Sequence, residues 1–168
     1  MRELARPASY RKSRPCQHRV GNREHAGKLV ASPGSCKLLR MRHITPRGIR
    51  PPFARYSYGV EIPAGHRILV CSGQLGITPD DRVPATVEEQ THLCFRNIEA
   101  VLAEAGLTFA DTVRINAFVV GREHLKGYMA VRDLYISDPP PASTLMIVSG
   151  FSRPEFLVEI EIIAAAPG

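Results

Sequence analysis

The chain has 168 residues and a formal net charge of +6, a length that fits one domain, or one domain with a tail, around a single sizeable core. It has no apolar run approaching the roughly 18 residues that a membrane-spanning helix needs, so a soluble protein is expected. The positive charge is not spread evenly: residues 1–40 hold ten Lys/Arg against Glu3 and Glu24, a balance of +8, whereas residues 41–168 hold twelve against fourteen Asp/Glu, a balance of −2. A nucleic-acid reading therefore does not extend to the remainder of the chain.

Cysteines fall at Cys16, Cys36, Cys71 and Cys94. They form no CxxC pair and no histidine stands at zinc-ligand spacing beside them, so no metal is expected. Cys71 in an apolar strand and Cys94 on the apolar side of a helix read as small buried thiols in a reducing compartment.

Residues 1–40 show no helical or strand periodicity and scatter Arg, Ser, Pro and Gly among few large apolar residues. Burial there cannot offset the ordering entropy, and disorder is expected. Three readings stay open: a natural start at Met41, a transit peptide directing the protein to an organelle, and a nucleic-acid-binding arm. Without a transit peptide, a cytoplasmic protein is expected.

From Met41 onward the elements come in a readable order. Residues 47–55 are interrupted by proline and extended. Tyr58, Val60 and Ile62 alternate with polar residues as in a half-buried strand, and Pro63 to His66 forms a turn. The next strand, centred on Ile68, Leu69 and Val70, is apolar on both faces and is expected to pair antiparallel with the first and to end at Gly73. There Ser72-Gly73-Gln74 offers a hydroxyl, a residue without Cβ and an amide in succession, a place where a ligand can approach the backbone.

Thr86-Val87-Glu88-Glu89 matches a helix capping box, and apolar residues recur at helical spacing from Val87 to Ala105, where Gly106 supplies the left-handed stop. Thr112 to Val120 alternates as a strand, parallel to the one before the helix. A second helix follows over His124 to Ile136, weakened by Gly127, then a strand over Ala142 to Val148. In the last strand Phe156, Val158, Ile160 and Ile162 share one face, and Glu159 and Glu161 lie on the other, otherwise apolar, face. Two helices cover one face of such a sheet, so the second face is expected to be covered by copies of the same chain.

This order, with Ser72-Gly73-Gln74 after the second strand and Val158-Glu159-Ile160-Glu161 in the last, resembles the Rid (YjgF) family of reactive intermediate deaminases. Tyr56 with Gly59, Pro84-Ala85, Ala105-Gly106-Leu107 and Pro141-Ala142 carry the rest of the likeness, which spans Ile49 to Ala166. The resemblance implies an α+β, chorismate-mutase-like mixed sheet with two helices on one face, assembled as a homotrimer with sites in the clefts between subunits. It also implies a small-molecule substrate, an enamine or imine hydrolysed to a keto compound and ammonia, and no metal or cofactor.

By the same resemblance Glu159 is the catalytic residue, and Tyr56, Ser72, Gly73 and Ser143 contact the substrate. Family members that deaminate carry arginine directly after the Pro-Ala step, where this chain has Ser143. A hydroxyl offers one neutral hydrogen bond in place of a bidentate grip on a carboxylate, a change that commonly costs about 2–5 kcal/mol. The expectation is thus a hydrolase of altered specificity, and the alternative is a trimeric small-molecule-binding or regulatory protein without turnover. Arg55, Arg114 and Arg153 are the other places from which a guanidinium could come, and Glu123 is expected at the mouth. An endoribonuclease activity, ascribed to some of the family, has no support in residues 41–168, which carry no basic stripe with interleaved aromatics. His43, His66, His92 and His124 stand beside no nucleophile at a recognisable spacing and are assigned no catalysis.

Overall fold

The structure, a computed structural model, describes residues 40–168. The expected tail lies outside the described residues save for Arg40, as do Cys16 and Cys36. The elements are β1 (Arg42–Ile44), β2 (Gly59–Glu61), β3 (His66–Leu75), α1 (Val87–Glu104), β4 (Thr112–Val120), α2 (Leu125–Tyr135), β5 (Ala142–Val148) and β6 (Val158–Pro167), with a 3-10 turn at Phe109–Asp111. The architecture is α+β. Among the described residues no helix is long and apolar enough to cross a membrane.

A four-stranded mixed sheet runs β3-β6-β4-β5. The last strand inserts between β3 and β4, antiparallel to both, while β4 and β5 are parallel neighbours joined through α2. Strands β3 and β4 therefore point the same way, as a helical crossover requires, without touching. The reason lies in β6: Val158, Ile160 and Ile162 are at most 2% exposed, and only a central strand lets one face sink so completely beneath the helices. Each such side chain contributes about 1.5–3 kcal/mol of burial.

Two strand expectations are corrected. The strand read over residues 56–62 is short and pairs with β1, which the sequence did not suggest, rather than with β3. Two contacts accompany this pairing: Arg42 Nε donates to Glu61 across it at 2.6 Å, and the backbone at Ser57, ahead of β2, bridges to Ala142 at the start of β5. Nor does β3 end at Gly73. It bulges between Cys71 and Gln74 and regains its pairing with β6 up to Leu75, because a carboxylate from β6 occupies the space beside Gly73.

Helix α1 begins as its sequence predicts, with Thr86 accepting from the Glu89 amide at 3.3 Å. The Glu89 carboxylate returns to the Thr86 hydroxyl (2.8 Å) and not to its backbone N–H. At the other end Gly106 has φ of +66°, and the Leu107 and Gly106 amides bond back to Leu102 and Ala103, a Schellman closure that buries Leu107 on Leu102. Gly127, the weak point of α2 by propensity, lets α2 lie against the start of α1: a Cβ there would lie 2.3 Å from Glu88 and 2.7 Å from Val87.

Both helices lie on one face of the sheet, sealing Cys71, Ile115, Val119 and Ile160 against Cys94, Phe95, Ile98 and Tyr128. The opposite face is open in the single chain. Ile68 is 59% exposed, Val70 72% and Met146 47%, so the strands that read as apolar on both sides have only one side covered.

Candidate functional site

The helix-free face carries the polar residues that the alternation of β4 and β6 singled out. Glu159 pairs across to Phe118 and, on the other side, to Leu75, just past the bulge. The bulge brings the β3 backbone under its carboxylate. A Cβ on Gly73 would fall 1.8 Å from Glu159 Oε1 and 2.7 Å from Cδ, so only glycine leaves the carboxylate where it stands. Ser72, Gly73 and Glu159 thus form one constellation, with Ser72 exposed beside it.

What holds β6 in that register is Gln90, a residue the sequence reading passed over. It is fully buried, donates through Nε2 to the carbonyls of Pro84 and Glu155, and accepts from the Leu157 amide through Oε1, each at 2.8 Å. One amide on α1 therefore anchors two of the three residues before β6, Glu155 and Leu157. Its only signal in sequence is a polar residue on the apolar face of a helix. Gly76 lies against it, where a Cβ would come 2.5 Å from the Gln90 Cα.

The two acids of β6 have different surroundings. Glu161 accepts from Asn116 Nδ2 at 2.7 Å, while Glu159 is in no ion pair among the described residues. Asn116 Oδ1 in turn accepts from Arg114 Nε at 2.9 Å, and Arg114 Nη2 donates to the Thr144 hydroxyl at 3.0 Å. A polar row Thr144–Arg114–Asn116–Glu161 thereby crosses β5, β4 and β6 beside Glu159.

Tyr56 and Ser143 form a second group. The Ser57 amide bonds to the Pro141 carbonyl at 2.9 Å, and the Ser57 hydroxyl donates to Pro140 at 2.7 Å. This ties the residue after Tyr56 to the start of β5. Tyr56 stacks edge-on against Tyr58, their centroids 5.7 Å apart. Ser143 shares its row with the buried Ile115, so it belongs to the helix side of the sheet, one position from Thr144 on the open side.

From their registers, Ser143 and Glu159 stand two strands and three residues apart, about 14 Å at ordinary sheet spacings. A single chain therefore unites Ser72, Gly73 and Glu159, and separately Tyr56 and Ser143, but not the two groups. Of the three other arginines, Arg153 is engaged by Asp81 (3.0 Å) and Glu155 (2.7 Å), and Arg55 by the Asp133 carbonyl (2.9 Å). Only Arg114 stands on the open face. Glu123 folds over Gly121 at the end of β4, 4.0 Å from His124.

The two thiols of the described residues, Cys71 and Cys94, are buried. Burial pushes Cys94 up to about 12 and raises Cys71, with Glu161 adding to the latter. His43 is bound to the Pro140 carbonyl (2.9 Å) and His92 to the Tyr135 hydroxyl (2.9 Å). Among the described residues no three His, Cys, Asp or Glu side chains gather as metal ligands would.

Residues 48–166 match the family model described as endoribonuclease L-PSP. The chain is 32% identical over 126 residues to the RutC family protein YjgH of Escherichia coli, covering 74% of this chain and 94% of that one. It is also 32% identical over 100 residues to the mitochondrial protein mmf2 of Schizosaccharomyces pombe, covering 58% and 79% of the two chains. Among solved structures, the Rid-family protein YyfB of Yersinia pestis, of unknown function, superposes with a TM-score of 0.67 at 30% identity, over 76% of this chain and all of that one. With a family model over most of the described residues and a relative of this identity and coverage, the chain belongs to the Rid (YjgF) family.

Proposed function

We propose that this protein is a cofactor-independent hydrolase of small enamines and imines, releasing ammonia, with specificity altered by Ser143. The observation that carries this reading is the state of Glu159. It is a half-buried carboxylate on a central strand, packed against the Gly73 backbone and, among the described residues, in no ion pair, whereas its neighbour Glu161 is held by Asn116.

The chemistry asks for little more. An enamine is first protonated at carbon to give the imine. Water then adds to the imine carbon, forming a C–O bond as Glu159 takes one proton from the water and returns it to nitrogen. Glu159 then takes the hydroxyl proton of the carbinolamine and passes it to nitrogen, so that the C–O bond becomes a carbonyl as the C–N bond breaks and ammonia leaves. Ser72 would orient the substrate at the same bulge.

We further infer that the site is completed between copies of the chain in a homotrimer. The two residue groups lie about 14 Å apart in one chain by sheet spacing, and the open face exposes Ile68, Val70 and Met146, so a neighbouring copy would both cover that face and bring Tyr56 and Ser143 toward Glu159. In this reading the domain is residues 41–168 and the preceding residues take no part. Its location is cytoplasmic, or organellar if those residues direct it, as the mitochondrial designation of one relative allows. RNA cleavage is not proposed, since residues 41–168 carry a net charge of −2.

The test is ammonia release from enzymatically generated 2-aminoacrylate, by the parent, Glu159→Gln and Ser143→Arg. Loss of a general base commonly lowers turnover by about 10²–10⁴-fold, and Glu159→Gln is expected to fall in that range while still binding the keto acid product. A parent and a Ser143→Arg variant both without turnover would instead support a binding protein.

A further inference from the structure

Among the side chains on the open face of the four-stranded sheet, Arg114 is the one Lys or Arg in the described residues. It is half-buried, and both of its partners are neutral: the Asn116 amide oxygen at 2.9 Å and the Thr144 hydroxyl at 3.0 Å. It enters no ion pair among the described residues. Asn116 is set between it and the nearest carboxylate on the row, turning its oxygen to Arg114 and its NH2 to Glu161. The guanidinium is thus oriented by two hydrogen bonds, shielded from its own acid, and left with three of its five N–H donors unclaimed. A partly desolvated, pre-oriented fork of this kind suits a planar carboxylate.

Its place on the sheet says which carboxylate. The bond to Asn116 carries the guanidinium over the Asn116–Glu161 row, and Glu159 stands on the next row of the same face, about 7 Å along the strand and one strand, about 5 Å, across. A two- to four-carbon acid gripped at its carboxylate, with one water beyond its second carbon, fills that gap. We propose that Arg114 is the specificity-determining residue that holds the carboxylate of a small 2-imino or 2-enamino acid, with the imine carbon directed at the water of Glu159. This rests on the hydrolase reading above, and it places the carboxylate grip on β4 where position 143 offers only a hydroxyl.

The experiment uses the full chain and two probes, 2-oxobutanoate and its uncharged amide, titrated calorimetrically into the parent, Arg114→Gln and Arg114→Lys. Loss of a charge-assisted bidentate grip is expected to weaken 2-oxobutanoate on the order of 10- to 100-fold in Arg114→Gln, and less in Arg114→Lys, while the amide is unaffected. In turnover of 2-aminoacrylate the same factor should appear in KM, with kcat nearly unchanged. Equal binding of acid and amide by the parent, no binding of the acid, or an Arg114→Gln variant that binds like the parent would each overturn the assignment. A change of oligomeric mass in Arg114→Gln would also overturn it, by showing that the partner of Arg114 is a carboxylate of a second copy. If the parent binds 2-oxobutanoate through Arg114 yet releases no ammonia, the hydrolase reading fails and the carboxylate site stands. Arg114→Lys, which keeps the charge, guards against a Gln variant that does not fold.

Discussion

At the scale of single residues, the contact between Gly73 and Glu159 separates function from stability. A methyl at position 73 would overlap the end of a flexible side chain and not backbone, so the carboxylate can swing aside at small cost. Gly73→Ala is expected to lose under about 1.5 kcal/mol of stability, yet to lower ammonia release by roughly tenfold or more by displacing the base. Thermal melts beside turnover check this. Combining it with Glu159→Gln should add no further loss, because both changes act on one group. Glu159 was legible from its pattern, a carboxylate on an alternating apolar strand. The role of Gly73 was legible only as a place for close approach, since what approaches it belongs to a strand more than eighty residues later.

At the scale of elements, the caps and the alternation of β4 and β6 were readable because they rest on local rules: a hydroxyl before a helix, a glycine after it, side chains on alternate faces. The pairing of β2 was not: the contacts that accompany it, from Arg42 and in the Ser57–Ala142 bridge, reach across the chain. Gln90 lies between these cases. Its three hydrogen bonds fix the residues leading into β6, and Gln90→Ala would orphan a buried amide and two carbonyls while opening a cavity. The expected loss is about 3–5 kcal/mol, measured by denaturant unfolding, with Glu159 chemistry impaired well before the midpoint because the strand that carries it loses its anchor.

At the scale of the molecule, the open face is where a second copy is proposed to dock. Ile68, Val70 and Met146 are too exposed in one chain to be the core residues their strands resemble, and covering each would contribute about 1.5–3 kcal/mol. Val70→Glu is therefore expected to dissociate the assembly at micromolar concentration, shifting the mass seen by light scattering to that of one chain while far-ultraviolet circular dichroism stays constant. A parent that is already monomeric would remove the inter-subunit site from the proposal.

Order and type of the long elements, the two-faced apolar strands and the pair Glu159 and Glu161 were all written along the chain, because periodicity and capping are properties of a few neighbouring residues. Insertion of β6 between β3 and β4, the bulge that seats Glu159 on Gly73, the Gln90 anchor and the row from Thr144 through Arg114 to Glu161 needed the folded sheet. Each is a meeting of residues distant in sequence, and which distant residues meet is settled by the packing of the whole core, where no local rule reaches.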